Sequence, residues 1–241
     1  HTDKPLSPKL LIMAMRDHAF AKSVENEAMA GEGAPISLDV LWSCTTCGAC
    51  VNECPVDIEH IDHIVNMRRF QVLVESNFPS ELGGTFRNLE QTGNPWGANK
   101  NDREAWIAEC DFPIRVVEGM LPDEVEYLFW VGCAGAYDER AKKTKAVAEL
   151  LYMAGVNFAV LGKKETCTGD PARRAGNEFL YQILASENIE TFKEVFAGRS
   201  KGTKKVVVTC PHCFTTIGRD YAQSGFELEM LHHTQLLNQL L

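Results

Sequence analysis

The stretch Trp42-Ser43-Cys44-Thr45-Thr46-Cys47-Gly48-Ala49-Cys50-Val51-Asn52-Glu53-Cys54-Pro55 constrains this chain more than any other. It reads C-x2-C-x2-C-x3-C-P. Three thiols at steps of three wrap a compact loop that can meet three corners of an iron–sulfur cube. The fourth, followed by proline, leaves the loop in a fixed direction and opens the next segment. Zinc is the other reading of clustered thiols, although zinc sites usually set two pairs apart instead of stringing four together.

The chain has nine cysteines, and Cys110 alone falls outside a pattern, so packing is its expected role. An odd number at these spacings does not suit a secreted disulfide framework. Metal-bound thiolates in a reducing cytosol are expected instead. Net charge is −9, and the only basic group, Lys142, Lys143 and Lys145, belongs on the polar face of a helix, which argues against a nucleic-acid partner. The longest apolar run, Leu10 to Met15, stops at Arg16-Asp17, well short of the ~18 residues of a membrane span. At 241 residues and 45% hydrophobic, the chain can build one large core or two small ones. It begins with His1, so it is expected to be a piece of a longer product.

The first half reads as helices. Ser7-Pro8 is a cap followed by proline at the first helical position, with a helix expected to about Lys22. Gly31 to Pro35 breaks the pattern, and Ser37 to Trp42 is a short helical turn that delivers the cysteine loop. Asp57 is expected to cap a second helix carrying Ile58, Ile61, Ile64 and Val65, with His60 and His63 on a solvated face. Another helix is expected from Glu81 to Leu89, and a short one, capped by Asn101 or Asp102, through Ile107. Residues 111–124, with Pro113, Gly119 and Pro122, read as a linker between a helical module at 1–110 and a second module at 125–241.

From Glu126 strands and helices alternate. Tyr127 to Val131 is a continuous apolar run suited to a buried parallel strand. Asp138 is expected to cap a helix lined by Val147, Leu150, Leu151 and Ala154, and ended by Gly155. Val156 to Leu161 and Lys205 to Thr209 read as further strands. Between them lies a helix starting at Asp170-Pro171 that carries Phe179, Leu180 and Ile183. Cys210-Pro211-His212-Cys213 opens a helix toward Tyr221. Phe226 to Met230 is expected as an exposed fourth strand before a last helix after His232-His233. Cys133, Cys167 and the pair Cys210/Cys213 each follow the carboxyl end of a predicted strand. In an open parallel sheet those ends share one edge, so four thiols converge there. By count they suit a [4Fe-4S] cluster or a zinc ion. A dithiol–disulfide centre at Cys210/Cys213 is a rival, but it leaves Cys133 and Cys167 unexplained and only 28 residues for the remaining sheet.

Taken together, Lys4 to Lys9, Leu41 to His63, Phe129-Trp130-Val131-Gly132-Cys133-Ala134-Gly135, Gly176-Asn177-Glu178-Phe179 and Cys210-Pro211-His212-Cys213 resemble the CCG-domain (cysteine-rich domain) iron–sulfur oxidoreductases. That family includes heterodisulfide reductase and the iron–sulfur subunits of glycolate oxidase and anaerobic glycerol-3-phosphate dehydrogenase. It also includes the membrane-bound electron-transfer-flavoprotein:menaquinone oxidoreductases, which the chain resembles most, in their actinobacterial form. The resemblance implies an α+β chain: an all-α helical ferredoxin-like module followed by a small α/β cysteine-rich (CCG) module with a parallel sheet. It implies [4Fe-4S] clusters on Cys44, Cys47, Cys50 and Cys54 and on Cys133, Cys167, Cys210 and Cys213. A further ferredoxin motif would precede His1, so that Cys54 serves a neighbouring cluster. A second CCG repeat would follow Leu241, and a haem-binding membrane domain would come before all of it. The implied role is electron relay from an electron-transfer flavoprotein toward a membrane quinone, in a cytoplasmic part held at the inner face of the cell membrane. The alternatives are a substrate-reducing subunit of the other family types and a non-redox zinc scaffold. One departure bears on the first alternative: the family's Cys-Cys-Gly triplet stands here as Cys167-Thr168-Gly169, which weakens disulfide-cleaving chemistry.

Overall fold

The computed structural model describes residues 3–21, 28–138 and 143–241. Its packing gathers the chain into two compact units, His1–Gly83 with Ala172–Glu178, and Gly84–Pro171 with Phe179–Leu241. This division differs from the expected modules at 1–110 and 125–241, because the short helix after Asn99 packs in the unit of the sheet. The expected linker also contains a strand.

The first unit is helical. α1 (Pro8–Phe20) starts as expected, with the Ser7 hydroxyl accepting from the Leu10 N–H at 3.4 Å. The expected end at Lys22 lies outside the described residues. α2 (Leu38–Trp42) carries Leu41 into the core, and α3 (Ala49–Asn52) is a single turn within the cysteine loop. α4 (His60–Leu73) begins after Glu59 and not at Asp57. Asp57 has φ 54, and its N–H closes a turn onto the Cys54 carbonyl, so the chain finishes wrapping Cys54 before the helix can start. His60 is buried, contrary to the solvated face expected for it, whereas His63 is exposed. Leu11, Ala30, Ile36, Leu41, Ile64 and Met67 form this unit's core. α5 (Ser80–Thr92) follows.

The second unit is built on a sheet. Among the described residues it has five parallel strands in the order β1-β3-β2-β4-β5, with β1 at Arg115–Val116, β2 at Tyr127–Trp130, β3 at Phe158–Val160, β4 at Lys205–Val208 and β5 at Glu229–His232. β2 and β4 are central, so Leu128, Phe129, Trp130 and Val206 to Val208 are all buried, as a continuous apolar run requires. α6 (Gly132–Tyr137) follows β2, then α7 (Lys143–Met153), whose Val147, Ala148 and Leu151 pack with Phe129 and Val207 on one face. The expected start of that helix after Asp138, including Lys142, falls outside the described residues, and Leu150 is exposed. On the other face Trp130 meets Phe192 at 5.1 Å between rings, a pair worth about 1 kcal/mol beyond its burial.

Three further expectations shift. The helix expected from Asp170 is two helices, α8 (Asp170–Arg174) and α9 (Glu178–Val195), because Gly176 turns the chain at φ 90. Phe179 and Ile183 are exposed, and Leu180 alone of the three is buried. After α10 (Pro211–Thr215) a π turn and a 3-10 turn carry the chain to Ser224. β5 begins at Glu229, with Met230, Leu231 and His232 half-buried rather than exposed, and α11 (His233–Leu240) closes the described fold. No helix among the described residues is long and apolar enough to cross a membrane.

Candidate metal centre

The contiguous loop comes first. Thr46 at φ 54 and Gly48 at φ 82 both take the left-handed conformation, which turns the backbone twice within three residues. Backbone amides then meet sulfur: the Thr46 N–H donates to Cys44 Sγ at 3.3 Å and the Ile58 N–H to Cys54 Sγ at 3.4 Å. Cys47 is exposed, while Cys44, Cys50 and Cys54 are half-buried. The Cys47 thiol is held below its ordinary range, first by the Ala49 N–H, with Thr45 and the Arg174 charge adding. Burial pushes Cys50 up, and the neighbouring Cys44 reinforces it.

Two arginines hold this loop. Its carbonyls cannot pair in a regular element, so they need other donors. Arg68, buried on α4, donates to the Leu41 carbonyl at 2.8 Å and the Cys44 carbonyl at 2.6 Å, and its guanidinium lies 4.9 Å from the Trp42 ring. Its other nitrogen donates to the Arg174 carbonyl at 3.0 Å. Arg174 in turn donates to the Thr45 carbonyl at 3.1 Å and the Thr46 carbonyl at 3.4 Å. Successive carbonyls at residues 44, 45 and 46 are thus satisfied by guanidinium groups.

The dispersed thiols converge in the second unit. β3 lies on one side of β2 and β4 on the other, so strand order reverses at β2 and β4, and ligands favour the crevice beyond such a point. Cys133 follows β2, Cys167 follows β3 by a longer loop, Cys210 lies two residues past β4 as the N-cap of α10, and Cys213 lies within α10. Cys167 and Cys213 are buried. A Cβ added to Gly132 would stand 3.4 Å from Cys213 Sγ and 3.9 Å from Cys210 Cβ, so the backbone beside Cys133 directly adjoins the pair.

The four thiols interact as two pairs. Cys133 is lowered by a hydrogen bond with Cys167, against burial and with help from Arg103, and Cys167 is raised. Cys210 is lowered to about 6, first by the Cys213 thiol, then against burial by the N–H groups of Cys213 and His212. Cys213 is raised by that partnership and by burial, with Cys133 and Cys167 adding. Among the described residues, no three His, Cys, Asp or Glu side chains are drawn around a single-ion position.

A polar frame surrounds them. Buried Asn94 ties the 92–98 loop to itself, and that loop offers the Gly93 carbonyl to the Cys167 N–H at 2.7 Å. Asn188 on α9 donates to the Cys167 carbonyl at 2.9 Å and to Tyr221 Oη at 3.1 Å, and Tyr221 donates to the Thr168 carbonyl at 2.9 Å. His212 Nδ1 stands 3.2 Å from Asp170 Oδ2. Beneath Cys133 a buried ion pair joins Arg103, on the 3-10 helix Lys100–Glu109, to Glu165. Glu165 also accepts from the Val131 N–H at 3.0 Å and the Gly132 N–H at 2.6 Å, while Arg103 Nε–H finds no acceptor among the described residues. Four thiols, two of them held low, beside a buried cation with an unspent donor fit an anionic, thiolate-bound group.

Arg68, Arg174, Arg103 and Glu165 stand outside every motif of the sequence. Arg68 had a readable signal: it shares a helical stripe with Ile64, Met67 and Gln71, all buried, and a charged residue on an apolar face needs partners. The other three have none: Arg174 and Arg103 meet the site from far away in sequence, and Glu165, two residues before Cys167, has its partners Arg103, Val131 and Gly132 far away.

Residues 127–218 match the cysteine-rich (CCG) domain family. The match runs from β2 into the turn after α10. It is 38% identical to the EtfAB:quinone oxidoreductase of Syntrophomonas wolfei over 100% of this chain and 37% of that protein. It is 38% identical to the probable iron-sulfur-binding oxidoreductase FadF of Bacillus subtilis, over 99% of this chain and 39% of that one. A component of the dihydromethanophenazine:CoB–CoM heterodisulfide reductase of Methanosarcina barkeri is 29% identical over 84% of this chain and 47% of its own length. The chain therefore spans less than half the length of each of these relatives. No solved structure matches it.

Proposed function

We propose that the chain is the cluster-bearing part of an electron-transfer oxidoreductase that passes electrons from a reduced electron-transfer flavoprotein toward a membrane quinone. Cys44, Cys47 and Cys50 hold one [4Fe-4S] cluster in a helical ferredoxin-like module, and Cys54 serves a neighbouring cluster whose other ligands lie elsewhere in the full-length protein. Cys133, Cys167, Cys210 and Cys213 hold a second. The observation that carries this reading is the convergence of four thiols, separated in sequence, where strand order reverses in a parallel sheet, next to the buried Arg103. The ferredoxin-type run in the same chain favours a cluster over zinc, since clusters work in relays. The names of the flavoprotein- and quinone-linked relative and of the iron-sulfur-binding one support the partners and the cofactor.

A bound cluster supplies one-electron chemistry at a potential set by its surroundings. The protein's part is to fix the thiolates, exclude water from Cys167 and Cys213, and present N–H donors to sulfur. No general acid or base is required. Thr168 lacks the additional thiol of the Cys-Cys-Gly triplet, so the relay reading is preferred to disulfide reduction. With the rest of the protein, the assembly works at the inner face of the cell membrane. Anaerobic purification followed by iron and sulfide analysis and EPR tests this. Iron and sulfide in equal amounts, with an EPR signal appearing on dithionite reduction, are expected. Stoichiometric zinc and a silent spectrum would refute it.

A further inference from the structure

We propose that Arg103, aimed by Glu165, is the fixed positive charge that raises the reduction potential of the group held by Cys133, Cys167, Cys210 and Cys213. The inference rests on the reading of those four thiols given above.

Arg103 is 2% exposed and Glu165 1% exposed. One guanidinium nitrogen stands 4.0 Å from Cys133 Sγ, and the other binds the Glu165 carboxylate. The two do not form a closed couple. Both Glu165 oxygens are shared with the N–H groups of Val131 and Gly132, so the carboxylate is anchored to the end of β2 and fixes where the guanidinium sits. Among the described residues the Arg103 Nε–H has no acceptor, and the guanidinium lies 5.5 Å from the Tyr137 ring. An arginine guanidinium keeps its charge in a protein, so this is a fixed cation. A buried ion pair is seldom a gain in stability over apolar packing, which leaves its neighbour at Cys133 as the reason for the charge.

One electron arriving from a reduced flavoprotein oxidises that donor by one electron and leaves the site one unit more negative, with no proton moved. A buried cation next to the site stabilises the more negative state, and salt screens it little. The Arg103 N–H directed at Cys133 sulfur acts in the same sense.

The test is an EPR-monitored redox titration of the full-length protein with its clusters loaded, the signal of this site being the one missing in Cys133→Ser. Glu165→Gln keeps an acceptor for the β2 amides but removes the opposing charge, so the midpoint should rise. Arg103→Gln should lower it. Each shift should change the reduced-to-oxidised ratio at fixed ambient potential about tenfold, which is about 59 mV for one electron. Arg103→Lys should stay near the parent. Shifts in the same direction, or none, overturn the proposal, because a merely structural role gives no opposite signs. If Arg103→Gln does not retain iron, Glu165→Gln and Arg103→Lys decide: an upward shift in the first supports the proposal, and an unmoved midpoint overturns it. If Cys133→Ser keeps the parent's iron, sulfide and every EPR signal, the site assignment itself fails, before any Arg103 variant is made.

Discussion

The loop from Cys44 to Cys54 gathers four thiols within eleven residues, whereas Cys133 and Cys213 stand eighty residues apart. The first set needs only local turns, at Thr46 and Gly48, and is left partly open, with Cys47 exposed. The second needs a sheet: three strands must register in parallel before its thiols meet, and two of them end up buried. Their charge environments differ as well. Arg68 and Arg174 bind the backbone carbonyls of the loop, so they act on its shape. Arg103 instead directs a nitrogen at a thiol, so it acts on the site's charge. The locally encoded site is held through its backbone carbonyls, and the site encoded by topology is met at a thiol by a buried cation.

The largest expected effect separates the two sets. Cys213→Ser should remove one cluster, about four irons, and also lower the melting temperature of the sheet unit. Cys47→Ser should cost iron from the loop and leave that melting transition in place. Iron analysis and calorimetry together check this, and equal destabilisation by both variants would erase the contrast.

Backbone room gives the next contrast. A Cβ at Gly176, φ 90, would lie 2.5 Å from the Arg68 carbonyl carbon and 2.6 Å from the Arg69 nitrogen. Gly176→Ala should therefore destabilise the helical unit by about 3 kcal/mol or more in urea unfolding. Gly155 in the sheet unit, φ 70, has no atom of the described residues within 4 Å of such a Cβ, so Gly155→Ala should cost only about 1 kcal/mol. A smaller difference between the two would mean that the α4 backbone gives way.

Asn188→Ala removes the donors to the Cys167 carbonyl and Tyr221 and should cost about 1–3 kcal/mol. It should also speed iron loss to a chelator from the second site alone, a rate measurable by absorbance. The smallest effect belongs to Cys110, whose thiol contacts the Trp106 carbonyl at 3.5 Å and is raised by burial. Cys110→Ala should change stability by less than about 1 kcal/mol and leave iron content unaltered. Lost iron in that variant would make Cys110 a ligand and break the division into two sets.

Much of this was legible. Ser7-Pro8 announced α1, Gly155 the end of α7, and the apolar runs at Tyr127 and Lys205 became the central strands. Boundaries failed where a local tertiary demand intervened. Asp57 suits a cap by residue type, but the turn around Cys54 claims its backbone. The polarity of its neighbours suggests a solvated His60, yet it starts α4 buried. Arg115-Val116 carries no strand pattern of its own and became β1 only because the edge of β3 was there to pair with.

The spacing of Cys44, Cys47, Cys50 and Cys54 by itself determined a thiol loop, since residues so close in sequence cannot avoid one another. The strand–loop–helix order after Glu126 determined a parallel sheet with Cys133, Cys167, Cys210 and Cys213 along one edge, because crossover handedness leaves the chain little choice. What only the tertiary structure decided is which charges meet those thiols. Arg68 with Arg174, and Arg103 with Glu165, lie more than sixty residues apart in each pair, and no local pattern links them. Burial makes an unpartnered charge too costly to keep, so packing chose the partners that sequence spacing could not name.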